Sequence, residues 1–163
     1  MVVLRCTQKL LARLKQSGDL PAIEPTTRLG DRYGNILRIG ARQHLLFISE
    51  RSRLPVIVPL RDSKRLSTVF PEALCDRLAV VGVPAADIAE ERTQMSEMVF
   101  GRTRNRSLLG TMNDFAFTAR SVDRSRAKRE TPEELMGFLA NTPILPVKGA
   151  RPIDLTLAAF GTR

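Results

Sequence analysis

The sequence predicts an α+β fold in a single domain, with a mostly antiparallel sheet of about four to five strands packed by helices. Its 163 residues suit one domain, and its 43% hydrophobic and 26% charged residues are typical of a folded chain. Short β-branched and aliphatic runs are interspersed with segments of helical periodicity, in the order βα, βββ, αα, β, ααα. This irregular order of strands and helices favours α+β over a fold built from repeated βαβ units.

The first part of the chain contains four predicted strands and one helix. The strands are residues 2–6, 35–39, 44–49 and 54–60. Thr7 can cap a helix that runs to about Gln16 before Gly18 ends it, and a loop rich in proline and glycine follows over 19–30. The second and third strands flank the short connection 40–43, which indicates a hairpin. In the fourth strand Pro55 and Pro59 each lack a backbone donor, which predicts an edge or partly paired strand.

Helical periodicity begins at residue 66. Because proline is favoured at the start of a helix and disrupts its interior, Pro71 predicts a short turn and then a helix over 71–81, ended by Gly82. Pro84 opens a second helix that runs to about Met95, and residues 98–103 are predicted to form a strand.

Three further helices are predicted towards the carboxyl end. Ser107 is the expected cap of the first, whose apolar face carries Leu108, Met112, Phe115 and Ala119 and whose end merges into the basic run 120–129. The sequence Thr-Pro-Glu-Glu at 131–134 forms a capping box that starts the second, which should end before Asn141-Thr142-Pro143. The third covers about 152–160.

Positive charge is concentrated in parts of the chain. The sequence has 26 Lys and Arg against 17 Asp and Glu, a net charge of +9. Residues 99–129 hold eight basic and two acidic side chains, whereas residues 66–98 hold two basic and six acidic ones. Such a distribution indicates an anionic partner, although a basic stretch can also be an ordinary solvated face.

Composition argues against several kinds of chemistry. With one histidine, His44, and two widely spaced cysteines, Cys6 and Cys75, we expect no metal site, no cofactor and no catalytic triad. Neither phosphate-loop nor dinucleotide-binding glycine spacing occurs. Aromatic residues are only 5% of the chain, so any nucleic-acid contact should involve the backbone instead of stacked bases. We expect no membrane span, no secretory signal and a cytoplasmic location with reduced thiols.

Two polar segments, 28–35 and 102–114, carry the candidate site. In the second, alternating arginines precede a predicted helix start, where free N–H groups favour anions. The predicted partner-binding residues are Arg32, Arg102, Arg104, Asn105, Arg106 and Ser107, and the predicted orienting residues are Asp31, Tyr33, Asn113 and Asp114. Arg104 and Arg106 are expected to contact the anion directly.

The same segments resemble an uncharacterised bacterial family, a domain of unknown function of about this length. The chain is similar to it at Thr7-Gln8-Lys9-Leu10, at Leu29-Gly30-Asp31-Arg32-Tyr33, at the Asn-Arg-Ser-x-Leu-Gly-Ser-Met-Asn-Asp signature over 105–114, and at Thr142-Pro143. Arg32 stands where the family has Trp, in a Leu-Gly-Asp-Trp-Tyr segment, and Thr111 stands where it has Ser. The resemblance covers nearly the whole chain and implies one domain, but it implies no activity.

Three functional hypotheses follow. The first is a non-enzymatic binding domain whose basic surface, from residues 28–42 and 102–129, contacts nucleic acid or an acidic protein. The second is a metal-dependent nuclease or RNA-targeting toxin that uses Asp31 and Asp114. The third is a homo-oligomeric structural or interaction protein in which the acidic segment of one copy meets the basic segment of another.

Overall fold

The computed structural model describes residues 1–20, 23–125 and 131–162. Parts of the loop predicted over 19–30 and of the basic run predicted over 120–129 therefore lie outside the described residues. The strands are β1 Val2–Cys6, β2 Arg32–Ile39, β3 Arg42–Ser49, β4 Pro55–Pro59 and β5 Met98–Arg102. The helices are α1 Gln8–Leu14, α2 Leu66–Val81, α3 Ala85–Gln94, α4 Arg106–Ser125, α5 Pro132–Asn141 and α6 Pro152–Ala159. The α+β class and the order of these elements are as predicted.

The five strands form one sheet in the order β4-β3-β2-β1-β5. β2 pairs antiparallel with β3, and β3 with β4, so the predicted hairpin and the proline-bearing edge strand are both confirmed. β1 lies between β2 and β5 and runs parallel to both. β1, at the start of the chain, therefore connects the β2–β3 hairpin to β5, the strand that follows α3.

Both faces of the sheet are covered by apolar side chains. One core contains Leu4, Phe47 and Val58 from the sheet, with Leu10 of α1 and Phe70 of α2 packed on them. The other core lies beneath α4 and α5, and its main members are Tyr33, Leu37, Leu46, Ile48, Ile57, Leu108, Met112, Phe115, Leu135 and Leu139. The α4 face predicted from the sequence is therefore the buried face, which leaves the opposite side of α4 in solvent.

The start of α2 differs from the prediction. A 3-10 helix over Leu60–Arg65 leads directly into α2 at Leu66, so Pro71 lies inside the helix and not at its beginning. Proline in a helix leaves the carbonyl four residues earlier without its usual donor, and here that carbonyl belongs to the exposed Ser67. Solvent can hydrate this carbonyl, while burial of Leu66 and Phe70 favours the early helical start.

The capping box of α5 is formed as predicted, and its removal should have a measurable cost. The Thr131 hydroxyl accepts from the Glu134 backbone N–H at 3.1 Å, and the Glu134 carboxylate accepts from the Thr131 N–H at 2.8 Å. We expect Thr131→Ala to lower the free energy of unfolding by about 1 kcal/mol, measured by urea denaturation. Thr93→Ala is the control, because the Thr93 hydroxyl only donates back to the Ala89 carbonyl within α3. Equal losses in the two variants would contradict a capping role.

Candidate anion-binding site

The candidate site lies where two parallel strands end side by side. Cys6 at the end of β1 is in register with Arg102 at the end of β5. From β5 the chain passes through the three residues 103–105 and enters α4 at Arg106. The carboxyl ends of parallel strands and the first turn of a following helix are common places for anion binding.

Asn105, not Ser107, caps α4. The Asn105 side-chain oxygen accepts from the backbone N–H groups of Ser107, at 3.0 Å, and Leu108, at 3.3 Å. Ser107 is exposed within the first turn, and its carbonyl accepts from the Thr111 hydroxyl. The predicted capping role of Ser107 is therefore wrong by two residues. Asn is as good a cap as Ser, and here it also ends the loop that carries Arg104.

A buried ion pair joins β1 to the residue before β2. Arg5 donates through Nε to Asp31 Oδ2 at 2.7 Å, and both side chains are almost wholly buried. Arg104 Nη2 lies 3.6 Å from the same oxygen, although the Arg104 side chain is 51% exposed. Gly101 leaves room for Arg5, because a Cβ there would stand 2.8 Å from Arg5 Nη1. Asp31 thus holds two guanidinium groups, one buried and one reaching solvent.

Three polar atoms of this cluster are buried without a hydrogen-bond partner in the described part of the chain. They are Arg5 Nη2, Asp31 Oδ1 and the Tyr33 hydroxyl oxygen. Burial raises the pKa of the Tyr33 phenol, Glu50 adds to the effect, and the adjacent Arg104 guanidinium opposes it. Buried groups with unused hydrogen-bonding capacity are uncommon in folded proteins and concentrate at functional sites.

An open cleft of about 740 Å³ lies over this cluster. Its lining includes Arg5, Asp19, Leu20, Arg102, Thr103 and Arg104. Arg102 Nη2 lies 3.3 Å from Asp19 Oδ1, but both side chains are largely exposed, so solvent screens this pair. The three guanidinium groups still outnumber the two carboxylates, Asp19 in the lining and Asp31 beneath it, so this arginine cleft has a positive potential. Its size suits a small ligand or part of a polymer.

The structure brings seven of the ten predicted site residues to the cleft or to the helix start beside it. Asp31, Tyr33, Arg102 and Arg104 lie at or beneath the cleft, and Asn105, Arg106 and Ser107 form the adjoining helix start. Asn113 and Asp114 lie on the exposed side of α4. Asp31, by contrast, is fully buried and paired with Arg5, so the two carboxylates of the nuclease hypothesis lie in different environments.

Arg32 is not available to a partner. Its side chain is 1% exposed, and it donates to Glu91 Oε1 at 2.9 Å and to the Gly30 carbonyl at 2.5 Å. Glu91 Oε2 also accepts from the Arg28 backbone N–H at 2.8 Å. Arg32 therefore attaches α3 to the start of β2, and its predicted role in partner binding is replaced by a structural one.

Arg5 is the site residue that the sequence analysis did not identify. It lies in Val-Val-Leu-Arg-Cys, a strand whose five residues are all buried. A charged residue within such an apolar strand needs a polar partner, so its presence in the sequence indicates a buried polar site. The pairing with Asp31 could not be inferred because it depends on the parallel register of β1 and β2.

Two other kinds of site are not found in the described ranges. No three histidine, cysteine or acidic side chains there are grouped so that they could hold a metal ion. None of the helices in those ranges combines the length and the apolar character that crossing a membrane requires.

Sequence similarity assigns the chain to a family without adding a ligand or a catalytic role. No curated protein and no solved structure matches it. The roles of the cleft residues therefore rest on the geometry described above. A sequence model of the family described as a domain of unknown function, DUF6933, matches residues 3–155, and the chain belongs to that family.

Proposed function

We propose that this chain is a non-enzymatic cytoplasmic binding domain whose arginine cleft takes phosphate groups of a nucleic-acid backbone. The observation that carries the proposal is the convergence of Arg5, Arg102 and Arg104 on one cleft beside the start of α4. Guanidinium groups bind phosphate oxygens in a bidentate manner, and the N-terminus of a long helix adds favourable electrostatics. The free, buried thiols of Cys6 and Cys75 support a reducing compartment.

The surroundings of the cleft favour backbone contacts over base stacking. Tyr33, the single tyrosine, is fully buried. The exposed phenylalanines of the described residues are Phe117 in α4 and Phe138 in α5, and neither lines the cleft. Without an aromatic platform, affinity comes from phosphate neutralisation, which falls steeply with salt and discriminates little between sequences.

Filter binding of DNA and RNA, single-stranded and duplex, at low and moderate salt tests this function. We expect binding at low salt, and we expect Arg102→Gln/Arg104→Gln to reduce affinity about 10- to 100-fold near 0.1 M salt, because two phosphate contacts are lost. The slope of log affinity against log salt should also become shallower by about two. The matched control is Arg65→Gln/Arg92→Gln, which removes two exposed arginines elsewhere.

The outcomes separate the hypotheses. Absence of binding at low salt would overturn the nucleic-acid proposal, as would equal losses in the two double variants. If polyglutamate competes with nucleic acid at equal charge concentration, an acidic protein becomes the better ligand. Such competition would leave the cleft as the site but change the partner.

The remaining two hypotheses gain no support from the contacts. For the nuclease, Asp31 is fully buried against Arg5, and Asp114 lies on the exposed side of α4. For the charge-paired oligomer, acidic residues of α3 are already engaged within the chain, since Arg28 contacts Asp87 and Glu90. We therefore advance neither as a second function.

A further inference from the structure

A second cleft, of about 630 Å³, lies towards the β4 edge of the sheet, where β3 begins and β4 ends. The lining includes Arg13, Arg42, Gln43, His44, Arg61 and Pro132. Alternate residues of a strand share a face, so Arg42 and His44 project to the same side of β3. His44 is in register with Pro59, and Arg61 follows two residues later, as the 3-10 helix begins.

The charges around this cleft are almost uncompensated. Arg13 and Arg42 make no ion pair with any residue that the structure describes. Arg61 Nε lies 4.0 Å from Asp62 Oδ2, and with 82% of the Arg61 side chain exposed this contact is weak. Three cations that line one cleft with so little compensation repel one another, and an anion between them relieves that repulsion.

His44 supplies a second, independent indication of a ligand. Its side chain lines the cleft but is only 7% exposed, and within the described residues Nδ1 has no hydrogen-bond partner. Burial lowers the pKa of the imidazole, and the positive charges of the Arg42 and Arg61 side chains lower it further. The contact of the imidazole with the Arg42 backbone raises the pKa and so opposes these effects. A buried ring nitrogen normally has a hydrogen-bond partner, but this one, beside three guanidinium groups, has none among the described residues.

We propose that the cleft around His44, Arg42 and Arg61 is a second anion site, which binds the phosphoryl group of a phosphorylated small molecule or of a nucleic acid. A phosphate monoester carries a charge of about −1.5 to −2 near neutral pH and offers several acceptor oxygens. Arg42 and Arg61 match those oxygens as paired donors, and Arg13 adds charge from α1. Carboxylates carry a single charge and compensate three arginines less well.

The single histidine makes this site directly observable. Inorganic phosphate is titrated into the full chain at pH 7.5 and constant ionic strength, and the His44 ring signals are followed by NMR. We expect a saturable shift that acetate at the same ionic strength does not produce. Arg42→Gln/Arg61→Gln should weaken phosphate binding about tenfold or more, while Arg65→Gln/Arg92→Gln should leave it unchanged.

The same titration separates the sources of phosphate and the two clefts. If AMP saturates the shift and an oligonucleotide without terminal phosphates does not, the ligand is a small-molecule phosphate. If the oligonucleotide saturates the shift and AMP does not, the ligand is the nucleic-acid backbone. Arg102→Gln/Arg104→Gln should bind phosphate at His44 normally, so a negative result for one cleft leaves the proposal for the other cleft unaffected. No saturable shift in the unmodified chain, an equal response to acetate, or undiminished binding in Arg42→Gln/Arg61→Gln would overturn the proposal.

Discussion

Glu91→Gln is expected to destabilise the fold by about 3 to 5 kcal/mol, among the largest effects of any single substitution in this chain. The variant keeps the shape of the side chain but leaves the Arg32 guanidinium, 1% exposed, without its counterion. Burial already lowers the pKa of Arg32, and the Glu91 charge opposes that shift. Urea unfolding followed by circular dichroism measures the loss directly.

Two further variants define the cause of that loss. Glu90→Gln changes the neighbouring carboxylate, which is 57% exposed and pairs with Arg28 at the surface, so it should cost less than about 1 kcal/mol. Arg32→Met/Glu91→Gln removes the stranded charge and retains an amide oxygen for the Arg28 N–H, so it should recover most of the stability. A double variant as unstable as Glu91→Gln would show that the charge is not responsible.

Asp31→Asn should have a comparable effect, again about 3 to 5 kcal/mol, because Arg5 then becomes a buried cation without a counterion. The half-exposed Arg104 offers the matched comparison. Arg104→Gln removes a guanidinium 3.6 Å from the same Asp31 oxygen, yet solvent screening limits its cost to less than about 1 kcal/mol. Urea unfolding of the two variants compares the buried and exposed members of one cluster.

Stability and binding can be separated at this cluster. Arg5→Met/Asp31→Asn contains no unpaired buried charge, so it should fold nearly as stably as the unmodified chain. The same variant lacks the buried guanidinium of the arginine cleft and should bind nucleic acid more weakly than the control Arg65→Gln/Arg92→Gln. Full binding by a stable Arg5→Met/Asp31→Asn protein would show that Arg5 has only a structural role.

Local patterns predicted most of the fold because they act over a few residues. Thr7 and Thr131 cap the helices that their sequences indicated, and Gly82 ends α2 with a positive φ of 99°. The family match likewise confirms the resemblance to an uncharacterised family. The start of α2 was missed because the Pro71 rule is local, whereas the helix begins where Leu66 and Phe70 pack into the core.

The candidate site was only partly predictable because two of its determinants are long-range. Arg102 and Arg104 were predicted from the alternating arginines before a helix start, and Asp31 from the polar, glycine-flanked segment 28–35. Whether an arginine faces solvent or a buried carboxylate depends on strand register and helix packing, and these assign Arg32 to Glu91 and Arg5 to Asp31. No pattern within ten residues contains that information.

The position of β1 between β2 and β5 has a consequence for synthesis of the chain. Val2 to Cys6 pair in parallel with Met98 to Arg102, which a ribosome adds more than ninety residues later. Until then one edge of β1 has no partner strand, although the hairpin of β2 and β3 can already form. Because such distant pairing is slow and leaves strand edges open, β1 should complete its pairing only after β5 has been made, and α4 and α5 should pack onto the sheet after that.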